Sequence, residues 1–184
     1  VAQAIICNSG NANTCNANGK ELARQTCELL SREAGIKKED IIVSSTGVIG
    51  QPMEIAPFEN GMPELVKSLG DFSCHAAEAI MTTDTRRKEI AYSFDIDGTE
   101  CHIGGIAKGS GMIHPNMATM LVFVTTDAKI SPKLLQEALS EDVKSSFNMI
   151  SIDGDTSTND TVAVLANGMA ENSEILANTP QYET

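Results

Sequence analysis

Thr119 stands at the head of the apolar run Met120-Leu121-Val122-Phe123-Val124, directly after the small residue Ala118. A threonine hydroxyl is a weak nucleophile until a base takes its proton, and in an N-terminal threonine the residue's own α-amine can be that base. Such an amine titrates near pH ~8, so a usable fraction is neutral at physiological pH. A cut between Ala118 and Thr119 would therefore arm a hydroxyl that is otherwise inert. The competing reading is that Thr119 simply begins a strand, which its β-branched side chain suits. Spacing alone leaves both open.

The other chemistry-bearing groups are less specific. Gly104-Gly105-Ile106-Ala107-Lys108-Gly109-Ser110-Gly111-Met112 is dense in glycine. It fits neither G-x-x-x-x-G-K-[ST] nor G-x-G-x-x-G ahead of a helix, so a strand-end loop is the plain expectation. Asp153 to Asp160 suggests a calcium loop, but Thr158 stands where that loop needs glycine and Val164 where it needs glutamate. A turn rich in Asp and Thr is expected instead. His75, His102 and His114 lack any H-E-x-x-H or triad-like neighbourhood and are expected to be structural or at the surface. Cys7, Cys15, Cys27, Cys74 and Cys101 are odd in number and never spaced C-x-x-C, which supports neither zinc nor redox chemistry. Reduced, mostly buried thiols are expected, and no metal site.

These residues need a scaffold, and 184 residues suffice for one domain with a real core. At 41% hydrophobic and 21% charged the composition is that of a folded protein rather than a disordered one. A net charge of -12, with Arg86-Arg87-Lys88 as the one dense basic spot, argues against nucleic acid as a partner. No apolar run is long enough to span a bilayer, so a soluble, cytoplasmic protein without a membrane partner is expected. The chain opens directly on an apolar run at Val1 and closes on a loop-like tail, which reads as a piece of a longer chain.

Val1 to Cys7 reads as a strand followed by the turn-prone loop Asn8-Ser9-Gly10-Asn11-Ala12-Asn13. Ala23, Cys27, Leu30 and Ala34 recur at helical spacing, with Gly35 suited to the C-cap. Ile41-Ile42-Val43 is a short buried strand. Pro52 to Leu69 predicts helical pieces interrupted around Gly61 and Pro63, and a further helix covers Cys74 to Met81. Ile90, Tyr92, Phe94 and Ile96 alternate as in a half-buried strand, and Asp97-Gly98 turns the chain into a partner strand through Cys101 and Ile103. Met120 to Val124 is a buried strand. Ser131-Pro132 caps a helix running to about Phe147, and strands are expected around Ile150 and at Val162 to Leu165. Layered α and β in a single domain, with at least one antiparallel pair, is the predicted class.

Six motifs occur in one order along the chain. They are Asn8 to Asn13, Ser45-Thr46-Gly47-Val48-Ile49-Gly50, Thr82-Thr83-Asp84-Thr85, Lys108 to Ile113, Pro115-Asn116-Met117-Ala118-Thr119-Met120-Leu121, and Ser157-Thr158-Asn159-Asp160-Thr161. Together they closely resemble the ornithine acetyltransferase family, the bifunctional glutamate N-acetyltransferases of arginine biosynthesis. The resemblance runs the length of the chain, and the stretch around Ala118 and Thr119 carries most of its specificity.

The resemblance implies an α-β-β-α sandwich of the DmpA type, incomplete here, and a precursor that cuts itself between Ala118 and Thr119. Residues 1–118 would belong to the upstream piece and 119–184 would begin the downstream one, the two staying associated, in a protein expected to be a homo-oligomer. It further implies that Thr119 takes an acetyl group from N-acetylornithine, or in bifunctional members from acetyl-CoA as a substrate, and passes it to glutamate. Thr46 and Gly47 match the family's oxyanion donors, and Thr82, Lys108 and Thr119 its substrate-contacting residues. No cofactor is implied. The family's remaining substrate contacts would lie beyond Thr184, so little or no activity is expected of the 184-residue chain alone. A self-processing aminopeptidase or amidohydrolase of the same architecture, and an inert fragment in which Thr119 only begins a strand, are the alternatives.

Overall fold

The computed structural model describes residues 1–70, 72–114, 120–177 and 179–183. Backbone contacts divide the chain into two compact units, Val1–Arg87 and Lys88–Thr184. The boundary falls at a place the sequence does not announce by any linker, and the Ala118–Thr119 position belongs to the second unit.

The first unit contains β1 (Ala4–Asn8), α1 (Gly19–Ala34), β2 (Ile41–Ser45), α2 (Ala56–Lys67) and α3 (Ser73–Ala79). β1 and β2 run parallel, in register from Ala4↔Ile41 to Asn8↔Ser45. Parallel neighbours need a crossover between them, and α1 supplies it. The helix ends as its sequence predicts: Gly35 takes the left-handed conformation at φ 71°, and its N–H donates to the Ser31 carbonyl at 3.0 Å. Its buried stripe is Leu22, Thr26, Leu29 and Leu30, so the predicted Ala23, Cys27 and Ala34 flank the contact rather than centre it. Leu29 and Leu30 pack with Ile6, Ile41 and Met62 into the core of this unit.

α2 corrects the expectation of an interrupted helix, because it runs unbroken through Gly61 and Pro63. A proline inside a helix removes one donor and leaves the carbonyl four residues back without it. That residue, Glu59, is exposed, so water can satisfy the carbonyl. Met62, 2% exposed, and its neighbours Phe58 and Val66 meanwhile anchor the helix on the core.

The second unit contains β3 (Lys88–Ile96), β4 (Thr99–Lys108), β5 (Leu121–Thr126), α4 (Pro132–Ser145), β6 (Thr161–Ala166) and the short α5 (Pro180–Glu183). Its sheet has the order β3-β4-β5-β6, the first two pairings antiparallel and the last parallel. Asp97 (φ 53°) and Gly98 (φ 83°) both adopt positive φ, the signature of the tight hairpin turn expected of this dipeptide. The Asp95 carboxylate accepts the Gly98 N–H at 2.9 Å. Ile96, Cys101, Ala128, Leu134 and Ile175 form the core of the unit.

Four expectations change here. Ile90 and Tyr92 are 56% and 63% exposed on β3, which among the described residues has a strand neighbour on one side only. Gly104 to Lys108 are not a loop but the end of β4. Gly105 lies opposite Val124, and an added Cβ there would come within 3.2 Å of Val124 Cγ2, so this glycine serves close packing of β4 on β5. α4 begins as predicted, with Ser131 Oγ accepting the Leu134 N–H at 3.3 Å, but it stops at Ser145. Around Ile150 there is no strand; its N–H closes a single 3-10 turn on the Phe147 carbonyl at 3.2 Å. The class is thus mixed α/β, as expected.

Candidate active site

In the first unit the candidate residues gather at the C-terminal ends of β1 and β2. The parallel pairing continues past the strands: the Thr46 N–H donates to Asn8 O at 3.0 Å, Val48 N–H to Gly10 O at 3.1 Å, and Ala12 N–H to Val48 O at 2.9 Å. Between these rungs sits Gly47, at φ 125°. A Cβ there would lie 2.2 Å from the Gly10 carbonyl carbon and 2.6 Å from the Asn11 nitrogen, so only glycine fits. Among the described residues the Gly47 N–H has no hydrogen-bond acceptor. Thr46 beside it is buried, at 1% exposure.

The Asn-rich loop is held by its own side chains. Asn8 Nδ2 donates to Asn11 O at 2.8 Å, Asn11 Nδ2 to Gln51 O at 2.9 Å, and Asn16 Nδ2 to Ala12 O at 2.9 Å. Ser9 Oγ donates to Ala79 O at the end of α3, at 2.5 Å. That bond ties the loop facing Gly47 to the segment carrying Thr82, which is exposed and whose N–H donates to Asp84 Oδ2 at 3.3 Å. Thr46, Gly47 and Thr82 thus belong to one hydrogen-bonded assembly of loops. The supporting roles of Asn8, Ser9 and Asn11 were not legible beyond their turn propensity. An apolar cavity of about 530 Å³ opens beside the same loop, between Asn8, Asn11, Met53, Phe58 and Met62.

In the second unit Lys108 ends β4, opposite Leu121 of β5, and is 2% exposed. Burial of an ammonium is tolerated only with acceptors around it, so its position is structurally exacting. Ala118 and Thr119, the expected cleavage pair, lie outside the described residues, as do Pro115 to Met117. The chain is described again from Met120, whose N–H donates to Asp160 Oδ1 at 3.2 Å. Asp153 accepts the N–H groups of Met112 at 2.7 Å, Ile113 at 3.0 Å and Asp155 at 3.4 Å. The bond from Met112 contributes most to holding the Asp153 carboxyl below its ordinary range, the others adding to it.

His102 lies at the surface, as expected, and has a partner that nothing in the local sequence indicated. Its N–H donates to Asp127 Oδ1 at 2.7 Å, and its Nδ1 lies 2.8 Å from Oδ2. The side-chain bond to Asp127 raises the imidazole pKa, and the backbone bond from His102, followed by the ring, lowers that of Asp127. Of the cysteines, all free, Cys101 is buried, Cys15 is exposed and the others are half-buried, so burial is less general than expected. Burial pushes the thiols of Cys101 and Cys27 up, away from the reactive thiolate. Among the described residues no group of His, Cys, Asp and Glu could hold a metal ion. No helix among them is long and apolar enough to cross a membrane.

The model of the ArgJ family matches residues 1–183. The chain belongs to that family, as the ordered motifs had indicated. The "Arginine biosynthesis bifunctional protein ArgJ" of Desulfotalea psychrophila is 53% identical over 184 residues, which are 99% of this chain and 47% of the relative. The protein of the same name from Thermotoga neapolitana is 50% identical over 181 residues, 98% of this chain and 46% of the relative. The chain therefore spans about half the length of the curated relatives it matches. The crystal structure of the arginine biosynthesis bifunctional protein argJ from Bacillus halodurans superposes with a TM-score of 0.55 at 37% identity, covering 62% of this chain and 61% of that one.

Proposed function

We propose that this chain belongs to an acyltransferase of arginine biosynthesis that moves an acetyl group to glutamate from N-acetylornithine or, as bifunctional members do, from acetyl-CoA as well. The family match over residues 1–183 carries the reading, together with the names of the relatives. Thr119 is the nucleophile. In the precursor its hydroxyl attacks the Ala118 carbonyl; the C–N bond breaks, the nitrogen leaves as the Thr119 α-amine, and water hydrolyses the resulting ester. The freed amine then serves as base for the same hydroxyl. In the mature reaction Thr119 is acetylated, the deacetylated donor leaves, and the amine of glutamate takes the acetyl group.

Thr46 and Gly47 are the oxyanion donors in this reading. The uncommitted N–H of Gly47, held between two backbone rungs, is what such a donor requires: fixed in place before charge develops. Thr82 and Lys108 contact substrate, the ammonium suiting an α-carboxylate. Association of the two pieces is favoured by the sheet. β4 and β5 flank the proposed cut in sequence and are paired from Ile103↔Thr126 to Lys108↔Leu121. The α-β-β-α sandwich, a homo-oligomer and a cytoplasmic location belong to the same proposal, and no cofactor is invoked. Since the relatives are about twice as long, the 184-residue chain is taken to lack part of the pocket and most of the activity.

Intact mass decides the central point. Two pieces split between Ala118 and Thr119, and one uncut chain for Thr119→Ala, are expected. A cut at another position, or a Thr119→Ala variant that still cuts there, overturns the assignment. Acetyl transfer measured against peptide hydrolysis then separates a transferase from an aminopeptidase.

A further inference from the structure

We propose that Asn8 and Asn11 are positioning residues for the oxyanion donor Gly47, acting through the loop on which Gly47 is seated. This role rests on the reading of Gly47 above. A Cβ added to Gly47 would meet backbone atoms of Gly10 and Asn11 before any others, so the peptide joining those two residues is its seat. Two asparagine side chains brace that peptide. Asn8 Nδ2 donates to Asn11 O at 2.8 Å, closing the chain over Ser9 and Gly10, with Gly10 held at φ 95°. Asn11 Nδ2 donates to Gln51 O at 2.9 Å, beyond Gly47 in the facing loop. The backbone adds a bond on either side of Gly47, from Thr46 N–H to Asn8 O and from Val48 N–H to Gly10 O.

Turn propensity accounts for asparagines that bond to backbone a few residues away, as Asn8 does. It does not account for the bond from Asn11 to a carbonyl 40 positions later in the chain. In both bonds the side chain is the donor, a role that an ionised aspartate cannot fill. Both asparagines are half-buried, where a carbonyl stripped of its donor is not freely re-solvated.

An oxyanion donor is effective because it is fixed before charge develops, so that no reorganisation is needed during the reaction. A misplacement of about 1 Å can cost ~10²-fold. Gly47 has no side chain with which to anchor itself, so its placement is set by the bonds beside it and by the peptide it rests on. Loosening a donor that acts only on the transition state lowers kcat and leaves KM largely alone. Neither asparagine is assigned contact with substrate.

The test measures acetyl transfer from N-acetylornithine to glutamate by the complete enzyme carrying Asn8→Ala, Asn11→Ala, Gly47→Ala or Ser31→Ala. Ser31 Oγ donates to Ile36 O at 2.6 Å at the end of α1, so its loss loosens the same unit through a bond to neither loop. Both asparagine variants are expected to lose kcat about 10-fold, with KM for N-acetylornithine changed by less than about twofold. Ser31→Ala should keep the wild-type kcat despite a lower Tm. Added to Gly47→Ala, Asn8→Ala should lower kcat by less than about twofold more, because both changes act on one donor. Where an alanine variant does not fold, the near-isosteric aspartate, which lacks the donor, takes its place with the same fall expected. Wild-type kcat in the asparagine variants, an equal fall for Ser31→Ala, or full additivity with Gly47→Ala overturns the positioning role. If Gly47→Ala alone still loses its rate, Gly47 stands as the donor without these braces. A Gly47→Ala enzyme with wild-type kcat overturns the donor and the positioning role together.

Discussion

Gly47 concentrates the case for the site in one residue. Its φ of 125° and the 2.2 Å approach that a Cβ would make to the Gly10 backbone mean that alanine cannot be accommodated without moving one loop off the other. Gly47→Ala is expected to lower acetyl transfer in the complete enzyme by ~10²-fold or more, the usual cost of losing an oxyanion donor. A kcat unchanged within a factor of two would remove Gly47 from the site. His102 gives a prediction of a different kind. Because its folded pKa lies above that of free imidazole, its protonated form favours the folded state below pH ~6.5. That contribution is lost as pH climbs through the raised value. NMR titration should find the ring above its ordinary pKa, and Asp127→Asn should bring it back down. These two residues also differ in how well the sequence announced them. Gly47 stood in a recognisable motif, whereas the partner of His102 lies 25 positions away and nothing local foretold it.

At the level of elements, signals that act within a few residues were legible. Asp97-Gly98, Ser131-Pro132 and Gly35 each did locally what their chemistry prescribes. Signals overridden by packing were not. Pro63 stays inside α2 because Met62 is buried against the core and Glu59, whose carbonyl cannot take a donor from Pro63, is exposed. Glycines 104 and 105 read as loop residues yet lie in β4, since their role is set by the strand beside them. The same contrast bears on stability. Leu29→Ala empties part of a packed cluster and is expected to cost about 2–5 kcal/mol. Ser131→Ala removes only a cap and should cost about 1 kcal/mol. Urea titrations of the two variants check the ranking, and near-equal losses would contradict it.

For the whole molecule, the consequence of the sheet order reaches beyond catalysis. β3 and β4 precede the proposed cut, β5 and β6 follow it, and the junction between the two pieces is an internal rung of the sheet, not an edge. After cutting, the pieces should migrate together on a sizing column and separate only in denaturant; separation in buffer would contradict the shared sheet. Before the cut, pairing β4 with β5 closes a loop within one chain. After it, the same pairing is an encounter of two molecules whose rate depends on concentration. Uncut Thr119→Ala chains should therefore refold at a rate indifferent to dilution, while cut protein, once unfolded, should refold more slowly the more dilute it is. If the proposed cut requires the folded unit, each molecule would assemble its sheet as one chain only once.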